Sequence, residues 1–194
     1  MRHLSLPNKL TFLRLLLTPV GVGILYWDQL PFNGVIATVI FVIGILTDAV
    51  DGYIARKYGL VTKLGTFLDP LCDKLILLSY FILLQGFGIY PLWLLIAFIG
   101  RELISDGFRS FALSQKVHLG SNIFGKLKTL LQSISVFCGL LYWITVRKEL
   151  PSILPIEASL IGKLAAEIMV VAFVSGCLGL YFMIGKNASI LKGK

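Results

Sequence analysis

Charge is scarce in this sequence, and scarcer still in one sign. Charged residues make up 14% of the 194-residue chain, and only 10 are acidic against 18 lysines and arginines. A soluble domain carries roughly 25% charged residues, so an ordinary water-facing surface is excluded. Cysteine is rare too. Cys72, Cys138 and Cys177 lie in apolar stretches, without pairing logic or zinc-ligand spacing, and read as buried packing residues. The two histidines, His3 and His118, have no partners at metal spacing. No cleaved leader is expected: Met1-Arg2-His3 is weakly basic, but the first apolar stretch is long enough to span and lacks a small-residue cleavage site. There is no linker, internal repeat or low-complexity tract, which predicts a single membrane domain over residues 1–194. The net charge of +8 is spread over several loops. That excludes a nucleic-acid face and suits anionic lipid headgroups.

What the chain has in abundance is apolar length, with 57% of residues hydrophobic. Runs of about twenty such residues mark transmembrane helices, and six are predicted, over roughly 9–29, 33–56, 66–88, 91–114, 124–146 and 159–185. Pro31, Asn33 and Gly34 punctuate the first connection, Gly86, Gly88 and Pro91 the third, and Glu149, Pro151 and Pro155 the fifth. Basic residues favour one side: Arg2 and Lys9, then Arg56, Lys57 and Lys63, then Lys116, then Lys186, Lys192 and Lys194. The positive-inside rule therefore predicts both termini cytoplasmic, with the second connection on that side. Trp27, Tyr26, Trp93, Trp143 and Tyr142 fall near predicted span ends, as an aromatic belt does. The fold class is all-α and polytopic.

Against this background four aspartates fall in one short window, Asp48, Asp51, Asp69 and Asp73, between two strongly apolar flanks. A carboxylate at the centre of a spanning helix costs roughly 2.5–3.5 kcal/mol, so four cost on the order of 10 kcal/mol if nothing neutralises them. Asp48 and Asp51 are three apart near the end of predicted helix 2; Asp69 and Asp73 are four apart near the start of helix 3. Both spacings put the pair on one helix face. A short connection makes the two helices antiparallel neighbours, so the faces can converge. Hard oxygen ligands select Mg²⁺, Mn²⁺ or Ca²⁺, and two such cations clamp the attacking and leaving oxygens in phosphoryl transfer. Gly52 and Gly65 leave room for close approach, Ala55 is similarly small, and Arg56 suits a diphosphate oxygen. The bland alternative is helix-end carboxylates with ordinary salt bridges, for example Asp48 with Lys74 or Arg56.

The string D-x2-D-G-x2-A-R-x8-G-x3-D-x3-D, from Asp48 to Asp73, resembles the signature of the CDP-alcohol phosphotransferases at every fixed position. That family consists of six-helix membrane enzymes that transfer a phosphatidyl or similar group from a CDP-linked donor to an alcohol, releasing CMP. The resemblance implies that Asp48, Asp51, Asp69 and Asp73 bind two Mg²⁺ or Mn²⁺ ions. It implies that Asp73 is also the general base, and that Gly52, Ala55 and Arg56 contact the CDP moiety. Pro7-Asn8-Lys9-Leu10-Thr11-Phe12-Leu13-Arg14 is similar to the family's N-terminal P-N-x-x-T-x-x-R element, which adds Asn8 and Thr11 to the donor set together with Gly65. Asn8 is equally a plausible helix N-cap. A homodimer is implied by the resemblance alone.

The acceptor is read from cations. Arg101 and Arg109 lie on or near predicted helix 4, and Lys126 and Lys128 near the start of helix 5. Buried cations are costly unless they meet an anion, and Arg suits bidentate phosphate recognition. An acceptor carrying its own phosphate, such as sn-glycerol 3-phosphate, satisfies this cluster; serine or choline does not. Arg101-Glu102, Arg109 and Gly125-Lys126-Leu127-Lys128-Thr129 are similar to the family branch that makes phosphatidylglycerophosphate. Lys128 could instead snorkel to headgroups, and Glu102 could simply neutralise Arg101. Asp106 stands three residues before Arg109, where the two can pair along one helix face.

The combined expectation is a bacterial inner-membrane enzyme with its site on the cytoplasmic side, taking CDP-diacylglycerol as donor and glycerol 3-phosphate as acceptor. Phosphatidylglycerol as acceptor, giving cardiolipin, is the alternative of the same chemistry. A cation transporter or channel is the alternative of another class.

Overall fold

A computed structural model describes residues 6–57, 63–117, 119, 120, 122–149 and 157–187, with the backbone alone for 6–9, 48–57, 63–67 and 69. Among the described residues there are six α-helices and no strand: α1 (Leu6–Tyr26), α2 (Asn33–Lys57), α3 (Lys63–Gly86), α4 (Leu92–Ser114), α5 (Ile123–Val146) and α6 (Ala158–Lys186). They fall on the six apolar runs, with ends displaced by at most three residues. The first run stops early, at Tyr26, because the chain turns at Trp27–Leu30, where the Leu30 amide bonds back to the Trp27 carbonyl at 3.1 Å. At about 1.5 Å per residue the helices measure about 30 to 45 Å. Helices satisfy their own backbone, which is what a lipid environment demands.

Helix α1 packs against both α2 and α3, and α5 lies along α6. Small residues set these approaches. A Cβ on Gly21 would overlap the Tyr80 hydroxyl and come within 2.9 Å of Ile40, so only glycine lets α1, α2 and α3 meet there. Gly179 of α6 lies close to the backbone of Gly125, 3.3 Å from the position its Cβ would take, so a larger residue there would crowd the α5–α6 contact. The core is aromatic on α3 and α4. Phe81 sits edge-on to Tyr90 at 4.9 Å and to Phe98 at 5.7 Å. The buried hydroxyls are satisfied: Tyr80 donates to the Ala37 carbonyl at 3.0 Å and Tyr90 to the Ser135 carbonyl at 2.7 Å.

The outside is apolar as well. Leu16, Ile96, Leu103, Ile104 and Ile123 are all more than half exposed. Two helices, α5 and α6, are long and apolar enough to cross a membrane, and only a third of either apolar window is buried within the protein. Helices of a soluble core would be covered; these present their apolar surface outward, as a membrane protein does. Of the cysteines, Cys72 is buried while Cys138 and Cys177 are half-buried. Tyr26, Trp27 and Trp93 are exposed, whereas Trp143 stacks on Phe87 at 3.9 Å.

At one corner, Glu149, just past α5, reaches the start of α2. Its carboxylate accepts from the Gly34 amide at 3.1 Å and the Val35 amide at 2.9 Å. A helix N-terminus leaves amides without intrahelical partners and favours negative charge, so this carboxylate caps α2 from 115 residues away. Gly34 leaves the space, since a Cβ there would lie 2.9 Å from the Glu149 carboxylate.

Candidate active site

The aspartates divide between two helices, Asp48 and Asp51 on α2 and Asp69 and Asp73 on α3. Of Asn8, Asp48, Asp51, Gly52, Ala55, Arg56, Gly65 and Asp69 only the backbone is described. Asp73 is described. Its Oδ1 accepts from Arg14 Nη1 at 3.1 Å, and the Arg14 side chain is 1% exposed. Arg14 lies on the buried face of α1 with Thr11 and Thr18, at the i, i+3, i+7 spacing that one helix face requires. Thr11 is buried where α1 meets α3, its carbonyl 3.8 Å from Cys72 Sγ. Pro70 falls between Asp69 and Asp73 inside α3; lacking an N–H, it cannot bond to the carbonyl four residues back.

A second charged cluster sits where α4, α5 and α6 meet. Glu102 is its centre. Its Oε1 accepts from Arg101 Nη1 at 2.6 Å and from Lys128 Nζ at 2.7 Å. Arg101 Nε also donates to the Gly176 carbonyl of α6 at 3.0 Å. All three side chains are less than a tenth exposed. Gly176 makes room for them: a Cβ there would lie 3.1 Å from both Arg101 Nε and Lys128 Cγ. Lys128 Nζ further lies over the Phe98 ring, 5.6 Å from its centroid. Removing one partner from such a cluster leaves a buried charge uncompensated and costs about 3–5 kcal/mol.

Two adjoining cavities join the two clusters. The smaller, about 140 Å³, is lined by Asp73, Leu77, Leu78 and Gln132, and the larger, about 660 Å³, by Arg101, Arg109, Asn122 and Lys126. Pro70, Lys74, Glu102, Lys128 and Thr129 line both. All four cations expected to bind an acceptor phosphate therefore line the larger cavity, Arg101 and Lys128 deep and paired to Glu102. Arg109 and Lys126 are exposed at its rim and make no ion pair among the described residues. The start of α5 faces the same space: Asn122 caps it, accepting from the Phe124 amide at 3.0 Å, and Gly125 and Lys126 line the cavity.

Asp106 does not pair with Arg109, its neighbour one turn on. It binds Lys74 of α3, which also lies 3.7 Å from Glu102 Oε2. Helix spacing made Arg109 available, but packing brought a cation from another helix closer. Lys74 likewise takes its carboxylates from α4. Lys74 and Gln132 escaped the sequence reading as site members, and Arg14 entered it only as the last residue of the N-terminal element. Arg14 and Lys74 have partners on other helices, and Gln132, buried against Asp73's cavity, was signalled only by standing four residues after Lys128 on the same face of α5.

Cations lining a cavity beneath an apolar exterior suit a membrane protein that takes an anionic ligand. The family model for CDP-alcohol phosphatidyltransferases matches residues 4–190, and the chain belongs to that family. It is 38% identical over 149 residues to the CDP-diacylglycerol–glycerol-3-phosphate 3-phosphatidyltransferase of Bacillus subtilis, covering 71% of this chain and 77% of that protein. It is 36% identical over 135 residues to the protein of the same name from Rickettsia bellii, covering 68% and 72%. With the one from Mycoplasma genitalium it shares 35% identity over 114 residues, 59% of this chain and 48% of that protein, about half its length.

Proposed function

We infer that this protein transfers the phosphatidyl group of CDP-diacylglycerol to sn-glycerol 3-phosphate, giving phosphatidylglycerophosphate and CMP. The observation that carries this reading is the adjacency of Asp73 to a cationic cavity through a shared wall. An acceptor with a hydroxyl at one end and a phosphate at the other matches that polarity. The relatives' names describe the same reaction.

In this reading the acceptor's phosphate lies among Arg101, Arg109, Lys126 and Lys128, and its hydroxyl faces Asp73. The hydroxyl oxygen attacks the phosphorus bearing the lipid. A new P–O bond forms, the bond to the CMP phosphate breaks, and the proton passes to the Asp73 carboxylate. Arg14, donating to Asp73 Oδ1, fixes the orientation of that carboxylate. The donor's diphosphate and cytidine lie against Asn8, Thr11, Gly52, Ala55, Arg56 and Gly65.

The donor set of Asp48, Asp51, Asp69 and Asp73 fits two Mg²⁺ or Mn²⁺ ions. All four are hard oxygen ligands, paired by helix spacing on two helices that both pack on α1. Such ions supply charge neutralisation at the diphosphate and at the leaving phosphate. Six spans, both termini and the site on the cytoplasmic side of a bacterial inner membrane, and a homodimer complete the proposal. The cytoplasmic placement rests on the distribution of Lys and Arg among the connections.

The test is an exchange of acceptors combined with Arg109→Ala. Glycerol 3-phosphate should be used in preference to phosphatidylglycerol, serine or free glycerol. Arg109→Ala should raise KM for glycerol 3-phosphate while leaving KM for CDP-diacylglycerol unchanged. Preference for phosphatidylglycerol would keep the chemistry and move the product to cardiolipin.

A further inference from the structure

Lys74 is one of the five residues that line both cavities. It follows Asp73 on α3 and lines both the small cavity with Asp73 and the larger one with the outer cations. Five cations, Lys74 included, face two carboxylates, Glu102 and Asp106, around the larger cavity. A carboxylate in an anion-binding site opposes its ligand by Coulomb repulsion, so each needs another role. Glu102 has one, since it is buried and compensates Arg101 and Lys128. Asp106 is 46% exposed and compensates no buried charge. Its ion-pair partner is Lys74, whose side chain is 34% exposed and so open to a ligand. A lysine ammonium rides on a flexible four-carbon stem and loses rotamer entropy when held. A fixed carboxylate on a neighbouring helix imposes that order before substrate arrives.

From these placements we propose that Lys74 contacts the acceptor and that Asp106 is its positioning residue. The Lys74 ammonium takes a phosphate or hydroxyl oxygen of the acceptor where that molecule lies between the outer cations and Asp73. The inference rests on the function proposed above and adds to it a contact that sets acceptor affinity and register.

The experiment measures initial CMP release by purified protein in detergent. Glycerol 3-phosphate is varied at saturating CDP-diacylglycerol, and then the reverse. Lys74→Met should raise KM for glycerol 3-phosphate by about ten- to hundredfold, the range that loss of one charge-assisted hydrogen bond gives. The donor KM should stay within about twofold, and Lys74→Arg should recover much of the loss. Asp106→Asn should raise the acceptor KM by about three- to tenfold alone and add nothing to Lys74→Met, because it acts through that residue. Equal effects on both substrates, or an Asp106→Asn effect that is the same with and without Lys74, overturns the proposal. If Lys74→Met does not fold, Asp106→Asn decides the matter: a raised acceptor KM with an unchanged donor KM supports it, and no change sinks it. Normal wild-type transfer with insensitive variants defeats this proposal alone. Absence of transfer to glycerol 3-phosphate by the wild type defeats the function on which it rests.

Discussion

Arg14 donates to Asp73 across 3.1 Å, from a side chain only 1% exposed on α1 to a carboxylate on α3 that opens into a cavity. A buried guanidinium in this position orients the group assigned as general base. Asp73→Asn should lower kcat by about 10²–10⁴, the usual worth of a general base, while binding of CDP-diacylglycerol persists. Arg14→Lys should retain more activity than Arg14→Met, because it preserves the charge but loses the planar fork. Steady-state rates with equilibrium donor binding check both.

Glu102 holds two buried cations, so its loss should be felt in stability. Glu102→Gln should destabilise the protein by about 3–5 kcal/mol, since Arg101 and Lys128 are then left facing each other without an anion. Adding Lys128→Met should return part of that loss. Thermal melting in a fixed detergent reads both changes, and additive losses would contradict the shared-anion account.

Glu149 offers a contrasting case. Its carboxylate caps α2 through the Gly34 and Val35 amides and lines neither cavity of the candidate site. Glu149→Ala should cost about 1 kcal/mol, as loss of a helix cap does, with both KM values unchanged. Melting and kinetics on the same preparation separate the two effects.

The metal assignment has its own consequence. Chelation by EDTA should abolish CMP release, and Mg²⁺ or Mn²⁺ should restore it. Asp48→Asn or Asp69→Asn should raise the metal concentration needed for half-maximal activity, a shift expected of lost carboxylate ligands. Activity indifferent to chelation would remove the metal from the account.

The helices were legible because twenty apolar residues in a row have few other physical meanings, and only their ends moved. The first span was expected to reach residue 29, but α1 stops at Tyr26, where a turn competes with hydrophobicity. Four costly charges in one window drew attention to the acidic motif, of which the Asp73 side chain is described. The cross-helix pairings were not legible. Arg14 stands 59 residues from Asp73, and Lys74 stands 32 from Asp106. Helix spacing suggested Arg109 for Asp106, one turn away, but spacing along one helix cannot weigh a cation delivered by another. Glu102 was expected as a neutraliser of Arg101 and pairs with it; that it also holds Lys128, 26 residues on, was not legible.

The central claim is transfer to glycerol 3-phosphate. The direct measurement combines purified protein, CDP-diacylglycerol, Mg²⁺ and radiolabelled glycerol 3-phosphate, with CMP and lipid-phase label counted together. The account predicts equal amounts of CMP and labelled lipid, both dependent on metal. CMP released without label entering the lipid, or no turnover with any alcohol from protein shown to be folded, would contradict it.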